Sequence, residues 1–126
     1  TRGMGGAGID RADAIAVDGA GNIYLGGSFE QTVNFAAGFG GSDSKTSVGL
    51  TDIFITKVNQ DGTYGWTRRI GGVADDQGLG IALNQAGALY MTGAFAGSVN
   101  FGSDFGKSNY KNSAGHVDAF LTKITP

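Results

Sequence analysis

The sequence predicts an all-β fold built from two copies of one antiparallel unit, and three observations predict it. Short runs rich in Ile, Val, Phe, Tyr and Thr recur with the alternation of strands, and no segment shows a helical period with caps. Glycine turns punctuate these runs: 24 of the 126 residues are glycine and only one is proline. The glycines follow no three-residue period, which excludes collagen. Finally, the pattern repeats at an offset of 66 residues, which relates Ile15 to Ile81, Tyr24 to Tyr90, Gly27 to Gly93 and Phe29 to Phe95. Aligned without gaps, 25 of 60 pairs are identical, so the chain carries a duplicated structural unit.

Each element follows from local chemistry. "AIAV" (14–17) is a short apolar strand, and "DGAGN" (18–22) turns it tightly into "NIYLGGSF" (22–29), a hairpin. The second copy of that turn, "NQAGA" (84–88), replaces Asp and Asn but keeps Gly87, so the turn depends on the glycine backbone more than on side-chain chemistry. "VNF" follows at 33–35 and again at 99–101. The next stretches, "AAGFGGSDSKTSVGLT" (36–51) and "GSDFGKSNYKNSAGHV" (102–117), read as long polar surface loops, each with one aromatic anchor, Phe39 or Phe105. These stretches differ most between copies and are the expected place of partner contact, with Tyr110 and His116 as further contact candidates. "DIFITKVN" (52–59) is the third strand, recurring as "DAFLTKI" (118–124); "NQDG" (59–62) turns it into the fourth, "TYGWTRRI" (63–70). Because "DIFITKV" is apolar or amphipathic in both alternating sets, its sheet is expected to be covered on both faces. The blades of a β-propeller, each packed between two neighbours, make that same demand.

The elements "AVD-x-x-GNIY-x-x-G-x-F", the following "VNF", "G-x-x-D-x-F-x-x-K" and the closing "W-x-x-x-IGG" resemble the bacterial beta-propeller repeat known as the SBBP repeat. The resemblance spans nearly the whole chain in two copies, the second departing at "NQAGA" and at Ala119. It implies four-stranded antiparallel blades belonging to a larger ring or array. It also implies a bacterial, secreted or surface-attached setting, and it carries no catalytic motif. On this reading residues 1–66 hold a strand completing a preceding blade and then blade one. Residues 67–126 hold the end of blade one's outer strand and then an incomplete blade two.

Two blades cannot close a ring, and an open pair exposes apolar faces and strand edges. The expected partners are therefore other copies of the chain, or adjacent blades of a longer one. The segment "TRGM" (1–4) matches "TRRI" (67–70) and is expected to add to the third strand of a neighbouring unit. Three copies would make six blades and four would make eight; a rotation that does not close would make a filament.

Composition narrows the function. The net charge is −2 and the nine basic residues are scattered, which argues against a nucleic-acid surface. Absence of cysteine excludes disulfides, thiolate metal sites and cysteine nucleophiles. No apolar run reaches membrane-spanning length. His116 beside Asp118 has the makings of a base, but a lone loop histidine is more simply a polar surface residue. Asp18 and Asn22 read as turn residues rather than calcium ligands. Asp75 and Asp76 form a cation candidate at the unit's entrance, weighed against a solvated turn. Asp52 and Asp118 read as caps of the turn before their strands, with Lys57 and Lys123 covering apolar surface. Tyr24, Tyr90 and Trp66 read as core, with sugar stacking as the alternative. The expectation is a non-enzymatic structural or interaction module, extracellular and bacterial, without cofactor or metal. A glycan-binding lectin-like propeller is the alternative, and a channel-sited hydrolase or lyase is weaker still.

Overall fold

A computed structural model describes residues 1–125; Pro126, the one proline, lies outside the described residues. The first unit is a four-stranded antiparallel meander of β1 (Asp10–Val17), β2 (Ile23–Asn34), β3 (Ser44–Val58) and β4 (Tyr64–Ile70), paired in chain order. The second contains β5 (Gln77–Leu83), β6 (Leu89–Phe95), β7 (Ser98–Asn100), β8 (Tyr110–Asn112) and β9 (Asp118–Ile124). Here β5, β6 and β9 form a three-stranded sheet in that order, while β7 and β8 make a separate two-stranded ribbon. Two single 3-10 turns, Ala37–Phe39 and Ser103–Phe105, occupy equivalent places. Among the described residues there is no α-helix, and no helix is long and apolar enough to cross a membrane.

The long polar loop expected at 36–51 is mostly strand. β2 runs on to Asn34 and β3 begins at Ser44, with Thr32–Asn34 paired to Ser44–Thr46. Only residues 35–43 remain as connection. In the second unit β7 and β8 make the same pairing as a detached ribbon. The extension escaped the sequence because its residues alternate between exposed and half-buried, so no apolar pattern marks it. The first unit has the expected four-stranded antiparallel sheet; the second, expected to be incomplete, has three strands in its main sheet.

The 66-residue repeat is reproduced in the packing of its phenylalanines. Phe29, Phe35 and Phe54 form a buried trio with ring centroids 5.3, 6.4 and 4.9 Å apart. Phe95, Phe101 and Phe120 repeat it at 5.4, 6.5 and 5.0 Å. Val33 and Val99, the first residues of "VNF", are fully buried beneath them. The asparagine of that motif ties the connection: Asn34 Oδ1 accepts from the N–H groups of Ala36 (3.2 Å) and Asp43 (2.9 Å), and Asn100 Oδ1 from those of Gly102 (3.1 Å) and Asn109 (2.9 Å).

The first hairpin turn uses Gly21 at φ +87° and Gly87 at φ +78°. One of its side-chain contacts recurs beside the glycine. Asp18 Oδ1 accepts from the N–H groups of Ala20 and Asn22 at 3.0 and 2.9 Å, and Asn84 Oδ1 accepts from Ala88 N–H at 2.9 Å. The amide oxygen of Asn84 stands in for the carboxylate of Asp18, so a capping acceptor repeats along with the glycine.

The two sheets stack face to face, with β5 crossing β1 and β2. One core cluster bridges them, joining Tyr24, Ile53, Ile55 and Ile70 of the first sheet to Leu89, Met91, Phe120 and Ile124 of the second. Burial of each such side chain contributes roughly 1.5–3 kcal/mol.

Candidate functional site

The strand registers assign every residue to one of two faces. On the first sheet, Tyr24, Gly26, Ile53, Ile55 and Trp66 share the face that meets the second sheet. A methyl group on Gly26 would lie 2.5 Å from Ile81 Cδ1 and 2.8 Å from Met91 Cε, which locates the contact. The opposite face of the first sheet carries Ile15, Val17, Leu25, Phe29 and Phe54. On the second sheet, Ile81, Leu83, Leu89, Met91 and Phe120 face the first, and Tyr90, Ala119 and Leu121 look away.

Shifting by 66 residues turns each outer face into one half of the internal contact. Ile15 and Val17, 64% and 59% exposed, correspond to Ile81 and Leu83, which pack against the bridging core. Leu121, 75% exposed, corresponds to Ile55, which is fully buried. The chain therefore presents two unlike apolar faces that are repeat-equivalents of surfaces already mated within it. Tyr90, half-buried on the outer face, lines a shallow 200 Å³ hollow with Met91 and Leu121; its equivalent Tyr24 is buried and edge-to-face with Trp66 at 6.3 Å.

The first residues fit the same scheme. Thr1–Met4 run beside the first sheet as Thr67–Ile70, the end of β4, run beside the second. The Arg2 guanidinium lies 5.4 Å over the Phe39 ring, and that of Arg68 lies 5.8 Å over Phe105. Gly6 bridges to Val33 and Gly72 to Val99. Met4 packs on the Phe29–Phe35–Phe54 trio.

The residues singled out from sequence divide. Phe39 and Phe105 are half-buried, Phe39 against Tyr64 (5.6 Å) and Phe105 against the bridging core, so both are anchors. Tyr110, His116 and Asp75 are exposed and are not drawn together into one site. Asp118, the acid beside His116, accepts from Ala114 N–H at 2.8 Å, as Asp52 accepts from Val48 N–H at 3.0 Å, which is the turn cap expected of both. Asp76 differs from the solvated turn expected for it. It is fully buried where the two sheets join, accepting from the N–H groups of Gly72 (2.7 Å) and Ala96 (3.2 Å). Burial pushes its carboxyl up to about 6 against those two hydrogen bonds, helped by the charges of Asp52 and Asp75. Its equivalent Asp10 accepts from Gly6 N–H at 2.7 Å, so the contact is a repeated structural clamp. Among the described residues no group of three or more His, Asp or Glu side chains is placed to hold a metal.

Sequence reasoning read Asp52 as a turn cap but did not show its ion pair, and it missed two serines. Asp52 is completely buried, pairs with Arg69 Nη1 at 2.8 Å and leaves Oδ1 without a hydrogen-bond partner among the described residues. Ser47 and Ser113 each accept at Oγ from a backbone N–H, of Gln31 and Gly97, at 3.0 Å. Both serines are identical across the repeat, the one signal that marked them. A scan of protein-family models and a search of curated proteins each returned no match to this chain.

Proposed function

We propose that the chain is a non-enzymatic structural and interaction module, two blades of an extracellular bacterial β-propeller, which stacks head to tail with further blades into a ring or filament. The partners are other copies of the chain or adjacent units of a longer one. The observation that carries the reading is the pairing of exposed Ile15 and Leu121 with repeat-equivalents packed on the two sides of one internal contact, half-buried Ile81 against the core cluster and fully buried Ile55 within it. A surface of one unit is thereby matched to a different surface of the next, a heterologous contact that propagates. Resemblance of the sequence to the SBBP repeat supports the same reading and supplies the bacterial, secreted setting.

Sedimentation velocity tests it. The chain is expected to grow in mass with concentration, and Ile15→Asp or Leu121→Asp, each spoiling one face, to leave monomers. Mixing the two variants restores one good contact and is expected to give 1:1 dimers that grow no further. A chain that stays monomeric into the millimolar range, or variants that assemble like the parent, would overturn the proposal.

A further inference from the structure

Where the first sheet meets the start of β5, the chain holds a pocket of 190 Å³ lined by Ile9, Arg11, Ser28, Glu30, Thr51 and Gln77. The pocket lies at the internal seam: a methyl group on Gly78, next to Gln77, would come within 2.9 Å of Ile53 Cγ2. Register sets Arg11 opposite Ser28 and Thr51 opposite Glu30, so polar side chains of three strands converge there. Ser28, at the floor, is 7% exposed, and its Oγ has no hydrogen-bond partner among the described residues. A buried hydroxyl left in that state is destabilising. The Arg11 charge is met by Asp13 at 2.9 Å, whereas Glu30 Oε2 accepts a long 3.3 Å contact from Ile9 N–H and keeps acceptor capacity.

The second unit lacks this chemistry as a set. Ser28, Glu30 and Thr51 are replaced by Ala94, Ala96 and Val117, while their neighbours Gly27, Phe29 and Asp52 recur as Gly93, Phe95 and Asp118. Gln31, next to Glu30, is held at φ +59° where the second unit has Gly97. Its side chain lines an adjoining depression of 490 Å³ that shares Glu30. Polar groups are thus kept at this seam against burial and backbone strain, although the second unit folds with small or apolar residues in their places.

We infer that the seam pocket binds one ring of a neutral carbohydrate. Its volume falls below that of drug-sized sites and suits a single sugar ring. Ser28, Thr51 and Gln77 can each donate and accept, Glu30 accepts and Arg11 donates, a set that matches vicinal hydroxyls, which do both. Ile9, 66% exposed at the rim, offers apolar surface to the C–H groups of the ring. A free amino acid fits less well, because Asp13 already neutralises Arg11 and no free charge of the second sign remains for its carboxylate. Further rings of a chain run over Glu30 toward Gln31. Every lining residue comes from one chain, so the site is independent of the assembly proposed above.

The probes are the methyl glycosides of glucose, galactose, mannose and N-acetylglucosamine, with glycine as the zwitterionic control, titrated into the full chain and followed by NMR. Saturable binding of at least one glycoside is expected, equal in low and high salt because the ligand carries no charge, with glycine unbound. The triple variant Ser28→Ala, Glu30→Ala, Thr51→Val installs the second unit's own residues, so it is expected to unfold as cooperatively as the parent while binding at least tenfold more weakly. Tyr110→Ala, outside the pocket, is expected to leave binding unchanged. Absence of saturable binding by all four glycosides, preferential binding of glycine, or undiminished binding by the triple variant would overturn the inference.

Discussion

Asp76 shows how one buried carboxyl shapes the behaviour of the whole chain. Its folded-state value of about 6 lies above the ordinary 3.8, so the folded chain holds that proton more tightly than the unfolded one. The cost of ionising it in place, on the order of 3 kcal/mol, is present in full above about pH 6 and is relieved as pH falls toward 4. Asp18, Asp43 and Asp61 act with the opposite sign. The Asn22 side chain holds Asp18 below the usual carboxylate range, and that of Thr63 does so for Asp61; for Asp43, burial is outweighed by hydrogen bonds from Tyr64 and Lys45. Their contribution is lost only as pH falls below about 4. Stability is therefore expected to peak between about pH 4 and 6, with the urea midpoint higher at pH 5 than at pH 7.5. Asp76→Asn abolishes that rise and lowers stability at both values, because its NH₂ must face one of two backbone N–H groups. A midpoint that falls on going from pH 7.5 to 5 would contradict the assignment.

A second residue-scale prediction concerns Gln31, the one described non-glycine residue at positive φ, +59°. Its equivalent is Gly97 at φ +67°, and both N–H groups donate to the repeated serine. A left-handed non-glycine residue costs roughly 1–2 kcal/mol, partly offset by the greater unfolded freedom of glycine. Gln31→Gly is thus expected to stabilise by about 0.5–1 kcal/mol, read as a raised urea midpoint. A lowered midpoint would mean that the side chain contributes more than the backbone strain costs.

Among the elements, the hairpins of β1–β2 and β5–β6 share an irregularity that the sequence marked without explaining. Register slips between Ala12 and Ala14, and between Gly78 and Gly80. Opposite each slip sits a glycine, Gly27 or Gly93, where a methyl group would overlap the carbonyl of Arg11 or Gln77. These bulges are why the two glycines recur at the 66-residue offset. Gly27→Ala and Gly93→Ala are each expected to cost about 1–3 kcal/mol in equilibrium unfolding, from displaced backbone at the bulge. Unchanged stability in both would remove the close approach as their explanation. The strands built on apolar alternation, such as Asp118–Ile124, were legible in the sequence. The Ser44–Thr51 extension was not, because a half-exposed edge ladder is held by backbone pairing rather than by burial, and backbone pairing leaves no side-chain pattern.

For the molecule as a whole, the duplication was fully legible and its consequence was only partly so. Identical residues at one offset predicted two equivalent units, and the two phenylalanine trios repeat to within 0.1 Å in all three ring separations. The way one unit meets the next was not readable, because it depends on which alternating set of each strand turns inward. Nor was the burial of Asp76, since an acid clamping backbone N–H groups and an acid in a solvated turn look alike in sequence. On the sheet faces, Ile15 and Leu121 read simply as strand residues until their equivalents are found packed inside, Ile81 half-buried against the core and Ile55 fully buried.

The central claim, that separate units meet as the two internal sheets do, is tested most directly by cross-linking. The chain has no cysteine, so an introduced pair reports without interference. Gly26 and Ile81 touch across the internal contact, and their repeat-equivalents on the outer faces are Thr92 and Ile15. Under mild oxidation, a chain carrying Ile15→Cys and Thr92→Cys is expected to yield a ladder of intermolecular disulfide-linked multimers. A control pairing Ile15→Cys with Ala86→Cys, in an exposed turn, is expected to yield only sparse dimers. Equal cross-linking of the two pairs, or none in the first, would contradict the account.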